Sequence, residues 1–205
     1  MNHRILVFAS ISIVAVVILL IYWYLPDQSE QNLTFDALNG LLREDLSKQN
    51  VAMSSPVRLQ SQEAIAKYCS LFSDERQQSL VKYCTSTELK DAKGKFLGNI
   101  HMVGSGEMPQ VVMTLIQTDP LMSELDTVKT VFHTVIDDVV CKCWEDIRPS
   151  GMSSPNDWID GLKQFHQSDT QPHSRSTQLK LGQKTIQLEL TTNNDGYLWQ
   201  LFIYS

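Results

Sequence analysis

Hydrophobic and polar positions change rhythm three times along this chain. From Ile5 to Leu25 every position is apolar except Ser10 and Ser12. Neither serine carries charge, and each hydroxyl can bond back to its own helix backbone. About 20 apolar residues in helical rise span a bilayer core, so the run predicts a transmembrane helix. Tyr22, Trp23 and Tyr24 close it with rings suited to the headgroup layer. Arg4 and His3 precede it, and no Lys or Arg follows until Arg43. Positive charge stays on the cytoplasmic side, so the N-terminus is expected inside and the bulk of the chain across the membrane. A cleaved signal peptide is the rival reading. Its apolar core is shorter, about 7–15 residues, and ends in small residues. This run ends in Tyr-Trp-Tyr-Leu-Pro, and no Cys follows to carry a lipid.

A helical period begins at Thr34. Thr34 suits an N-cap, and Phe35, Leu38, Leu42 and Leu46 share a face. Residues 49–60, with Ser54-Ser55-Pro56, read as a loop. Helical stretches are expected after Ser61, aligning Ile65, Cys69 and Phe72, and after Ser73, aligning Leu80, Val81 and Cys84. Asp119 and Pro120 predict the start of a long helix whose stripe runs from Leu121 through Phe132 and Ile136 to Cys143. Ser154-Pro155 opens another, with Trp158, Ile159, Leu162 and Phe165 on one side.

Period two marks the strands. Phe96–Val103 and Gln110–Gln117 flank Gly104-Ser105-Gly106. Thr177–Leu181, Lys184–Leu190 and Tyr197–Tyr204 follow, with Asp195-Gly196 as a hairpin turn. Leu198, Leu201 and Ile203 break parity, which predicts a bulge or a strand covered on both faces. The predicted fold class is α+β: an N-terminal transmembrane helix, then one domain with an antiparallel sheet of about five strands and helices packed on one face. The expected divisions are residues 1–4 as cytoplasmic N-terminus, 5–25 as transmembrane anchor, 26–33 as tether and 34–205 as the extracytoplasmic domain.

Charge narrows the partners. Seventeen Lys and Arg stand against twenty-three Asp and Glu, for a net charge of −6. Phosphate contact needs a basic patch, so nucleic acid is not an expected partner, nor is broad attraction to anionic headgroups. The expected partners are the membrane, through residues 5–25, and an envelope protein.

Four cysteines are the disulfide candidates: Cys69, Cys84, Cys141 and Cys143. An even count in an oxidising compartment favours bridges. A Cys141–Cys143 bond would close a very tight ring, so the expected pairing joins Cys69 and Cys84, in some order, to Cys141 and Cys143. On an unbroken helix Cys143 would face the core and Cys141 nearly the opposite way. The Cys-x-Cys spacing differs from the two-residue gap of metal knuckles and redox motifs.

No other motif carries chemistry. The histidines, His3, His101, His133, His166 and His173, lack the one-turn spacing of a metal pair. His166 is expected as a cation at a helix end. The adjacent acids Asp137-Asp138 and Glu145-Asp146 point apart on a helix and read as solvated faces. Gly104-x-Gly106 lacks the following helix of a phosphate loop, and Ser105 is not in a nucleophile elbow. Met102, Met108, Met113 and Met122 are scattered and read as core filler. Asn32-Leu33-Thr34 fits a glycosylation sequon by chance. Trp144, Trp158, Trp199 and Tyr204 suit either core packing or a binding interface. No catalytic, cofactor or metal residue is assigned. The function expected is therefore a single-pass, membrane-anchored extracytoplasmic (periplasmic or extracellular) binding domain in the cell (inner) membrane. The alternative is an anchored enzyme or thiol/metal protein using Cys141 and Cys143.

Overall fold

Strict alternation in the second half of the chain builds the centre of the structure. In the computed structural model, which describes residues 33–68, 83–104, 106–168 and 171–205, nine strands form one antiparallel sheet rather than the expected five or so. They are β1 (Ala52–Met53), β2 (Val57–Leu59), β3 (Tyr83–Lys90), β4 (Phe96–Gly104), β5 (Val111–Thr118), β6 (His173–Arg175), β7 (Leu179–Leu181), β8 (Lys184–Asn193) and β9 (Gly196–Tyr204). β1 and β2 share one edge beside β3, and β6 and β7 share the other beside β8. Between them the order is β3-β4-β5-β9-β8. The first meander thus joins the second where β5 pairs with β9, from Val111↔Tyr204 to Thr118↔Tyr197.

The helices are α1 (Phe35–Lys48), α2 (Gln62–Tyr68), α3 (Leu125–Val139), α4 (Trp144–Ile147) and α5 (Pro155–Ser168). One face of the sheet contributes Ile100, Met102, Val112, Ile116, Ile186, Leu188, Leu190, Trp199, Leu201 and Ile203. These pack with Leu38, Leu42 and Leu46 of α1, Phe132 and Ile136 of α3, and Trp158 and Ile159 of α5 in one continuous core. Helices α1, α3 and α5 therefore lie on one face, as their single apolar stripes require, while α2 packs on the other. On the other face Ile65 of α2 meets Cys84 and Val103 in a smaller cluster. Phe202 and Met113 are also buried there, at 5% and 4% exposure. In β9 Trp199, Leu201 and Ile203 face the main core and Phe202 the opposite side. The broken parity thus marks a strand covered on both faces.

Several expectations shift. The expected anchor, residues 5–25, lies outside the described residues, as does the tether apart from Leu33; among the described residues no helix is long and apolar enough to cross a membrane. The expected helix aligning Leu80, Val81 and Cys84 falls partly outside them, and Cys84 sits in strand β3 instead. The expected loop at 49–60 carries the short edge strands β1 and β2, and a third short edge strand, β6, follows α5. The long helix starts at Leu125, not Asp119. The Asp119 carboxylate accepts from Leu121 and Ser123 backbone N–H at 3.0 and 2.9 Å, folding a turn with Met122 at φ 55°. Such local bonding by Asp competes with helix.

Candidate functional site

The cysteines give the largest departure from expectation. Helix α3 ends at Val139, whose carbonyl accepts from Lys184 Nζ at 2.5 Å, while Cys141 N–H bonds back to Ile136 O at 3.2 Å. The chain then turns, and Cys141 and Cys143, 5.1 Å apart at Cα, are bonded to each other. The expected pairing of Cys69 and Cys84 with these two is thereby corrected. The expectation had set this bond aside because so short a ring is tight; the end of α3 at Val139 also removes the helix continuity that placed the two thiols on opposite sides. Cys84 is disulfide-bonded and fully buried on β3; Cys69 lies outside the described residues. Closing a ring of so few residues contributes only about 1.5 kcal/mol on the chain-entropy relation, against about 4 kcal/mol for a bridge from Cys84 to Cys141. The bond is a weak staple.

Beside it lies a carboxyl pair that sequence spacing did not reveal. Asp137 and Asp138 do point apart, but Asp138 of α3 hydrogen-bonds Asp45 of α1. Burial, then the Asp45 charge, push the Asp138 carboxyl up to about 7. Asp45 itself is held below the usual range by its hydrogen bond to Lys48 at 2.7 Å. Lys142, between the two cysteines, attracts Asp45, Asp137 and Asp138. Glu145 and Asp146 are exposed in the first turn of α4.

The histidines do not converge. Among the described residues no group of three or more His, Cys, Asp or Glu is placed to hold a metal. His166 does not face solvent at the helix end; it is a buried cross-link. Its Nδ1 meets Ser174 Oγ and its Nε2 meets Thr192 Oγ1, each at 2.8 Å, with Tyr197 edge-on to the ring. A Ser–His contact of this length resembles half a catalytic triad, but the third position is the Thr192 hydroxyl rather than a carboxylate. His101, mostly buried, has an unpartnered Nδ1, and burial depresses it to about 4. His133 is exposed, 3.8 Å from Asp137, and His173 lies 3.6 Å from Glu189, which also pairs with Arg175 at 2.6 Å. His3, Asn32 and Ser105 lie outside the described residues. Thr34 caps α1, accepting from Ala37 N–H at 3.3 Å. Trp144, Trp158 and Trp199 are core residues, Tyr204 is half-buried, and Met102, Met113 and Met122 are buried in packing.

A second feature lies at one end of the sheet, where the 91–95 turn, the 118–124 loop and the 193–196 turn meet. Lys95 is ion-paired with Glu124. Gln117 and Asn193 exchange amide hydrogen bonds at 2.8 and 3.2 Å. Gly196 (φ 130°) lies so close to Thr118 O that an added Cβ would stand 2.3 Å from it. These ties fix the loops against one another. On them sit two of the most exposed large apolar side chains, Leu121 at 87% and Phe96 at 51%. The chain enters the domain at the opposite end, where Phe35 N–H bonds Glu107 O in the β4–β5 loop. No protein-family model, curated protein or solved structure matches this chain.

Proposed function

We propose that this chain is a single-pass membrane protein whose α+β domain lies outside the cytosol and works as a binding module for a protein partner in the envelope. The observation that supports it most is the state of the cysteines. Among the described residues none is free, and Cys84, Cys141 and Cys143 are all bonded. Such bonding fits an oxidising compartment. The apolar run from Ile5 to Leu25, flanked by Arg4 on one side only, supplies the matching address.

The loop end bearing Phe96 and Leu121 is the recognition surface in this proposal. Loops on a rigid scaffold are the usual carriers of binding, and a large apolar side chain held by fixed neighbours loses little entropy on contact. The surface lies at the far end of the sheet from Leu33, where the tether joins.

Two measurements test the proposal. A membrane-impermeant maleimide applied to intact cells after mild reduction should label the domain cysteines; labelling only after lysis would remove the extracytoplasmic placement. Photo-crosslinkers at positions 96 and 121 should give a discrete adduct that one at Lys180, on β7, does not. Equal or absent adducts at all three would remove the recognition surface.

A further inference from the structure

We propose that the β4–β5 loop at residues 106–109 is a second, shallow membrane contact, with Met108 resting among the headgroups of neutral, zwitterionic lipid. The inference rests on the membrane anchor proposed above, and its test separates failure of the contact from failure of the anchor.

Three observations carry it. The first is covalent reach. Leu33 packs against the main core and α1 opens at Phe35, so the chain is held by the domain from Leu33 onward. Residues 26–32 separate Leu33 from the end of the apolar run at Leu25. The steps from Leu25 to Leu33 span at most about 29 Å when fully extended. An anchor in the bilayer therefore keeps Leu33 within that distance of the lipid surface. A contact too weak to recruit a free protein is then populated through effective concentration.

The second observation is how the loop is presented beside that entry point. Phe35 N–H donates to Glu107 O at 3.1 Å. Gly104 lies so close to the turning chain that an added Cβ would stand 2.7 Å from Met108 O and 3.3 Å from Phe35 Cζ. On the other side Gln110 N–H donates to Val103 O at 2.8 Å, and Ser205 N–H to Gln110 O at 2.9 Å. The loop backbone is thus tied to α1 and to the end of β9, while Met108 itself is 46% exposed. An apolar side chain on a fixed backbone gives up little entropy on contact, and an unbranched thioether adapts to an irregular apolar surface. Phe96 and Leu121 lie at the opposite ends of β4 and β5, and the length of β5 puts about 27 Å between the two exposed groups. Met108 belongs to the group beside the tether.

The third observation is charge. Residues 106–110 carry Glu107, which is exposed, and no cation. Asp27 and Glu30 lie in the tether, and no Lys or Arg falls between Arg4 and Arg43. Of the cations on neighbouring elements, Arg58 is paired with Asp36 at 2.9 Å and Lys184 donates to Val139 O. A surface of this sign is repelled by anionic headgroups. Zwitterionic lipid turns its ammonium outward, toward Glu107, and leaves its acyl boundary open to Met108.

The test uses the full chain, with isotope-labelled methionine methyls, in nanodiscs of phosphatidylcholine. The discs carry a trace of lipid with a gadolinium chelate on its headgroup, and methyl NMR reads the paramagnetic broadening. The signal lost in Met108→Leu assigns the Met108 methyl. That methyl should broaden far more than those of Met113 and Met122, which are 4% and 5% exposed. Replacing part of the lipid by phosphatidylserine should lower the broadening about fivefold at low salt, the effect of one carboxylate near an anionic surface. Added salt should restore it, and Glu107→Lys should reverse the lipid preference. A chain that does not co-migrate with the discs would remove the anchor and the contact with it. Co-migration with Met108 broadened no more than Met122, or with broadening that anionic lipid leaves unchanged or raises, would remove the contact alone.

Discussion

At the scale of single residues, two partly buried titrating groups pull stability in opposite directions with pH. Asp138 titrates in the folded protein near 7, far above an unfolded Asp. Between about pH 4 and 7 the folded state binds the extra proton, so its contribution is complete below pH 4 and is lost as pH rises through 7. The full shift converts to about 4 kcal/mol, but the side chain is only half-buried, and solvent screening reduces this to roughly 1–2 kcal/mol. Asp138→Asn, which keeps a donor for Asp45, should therefore raise the melting temperature at pH 8 and leave it nearly unchanged at pH 5. His101 behaves in the opposite sense. Its folded pKa is depressed to about 4, so between pH 4 and 6.5 the unfolded chain holds the extra proton, and stability falls as pH drops. The imidazole is mostly buried, and the penalty amounts to about 3 kcal/mol. His101→Gln should shift the acid-unfolding midpoint to lower pH in an equilibrium titration. An unmoved midpoint would mean that His101 is protonated in the folded protein.

At the scale of elements, polar bonds decide how the helix layer is locked to the sheet. Asn39 of α1, 4% exposed, donates to Phe35 O at 2.9 Å and accepts from Thr87 Oγ1 of β3 at 3.2 Å. Truncation by Asn39→Ala strands the Thr87 hydroxyl and should cost about 1–3 kcal/mol in urea unfolding. Asn39→Ala combined with Thr87→Val should recover part of that loss, because both polar partners are then gone. Within the sheet, Gly98 of β4 faces Leu115 O so closely that an added Cβ would stand 1.9 Å away. Gly98→Ala forces β4 and β5 apart and should cost ~1–3 kcal/mol or more by the same measurement. Much of this element level was legible beforehand. The strands at 96–103, 110–117, 184–190 and 197–204 and the helices opening at Thr34 and Pro155 follow directly from period and capping. The edge strands β1, β2 and β6 were hidden because runs of two or three residues carry no period, whereas β7 falls within the expected strand Thr177–Leu181. The start of α3 was misplaced because Asp119 and Pro120 are equally good turn formers. The cysteine corner was illegible for a related reason: where α3 ends depends on Lys184, a contact that no local window contains.

At the scale of the whole molecule, orientation and disulfide chemistry should stand or fall together. The proposed orientation rests on Arg4 before the apolar run and on Asp27 and Glu30, without Lys or Arg, after it. Reversing that bias with Arg4→Glu, Asp27→Lys and Glu30→Lys leaves the apolar run and every core residue of the domain unchanged. By the positive-inside rule the domain should then face the cytosol. Reducing thiol systems there oppose bridge formation, so alkylation of the cells without reductant should find Cys84, Cys141 and Cys143 modified in the reversed protein and protected in the original. Stability should follow. Loss of the Cys141–Cys143 ring removes only about 1.5 kcal/mol, whereas loss of the bond at the buried Cys84 should weaken the α2–β3 region far more. Limited proteolysis of the reversed protein should therefore cut first around residues 59–84 while α3, α5 and the β8–β9 hairpin survive. Equal alkylation of both proteins would separate the cysteines from the compartment, and the proposed extracytoplasmic placement would lose its main support.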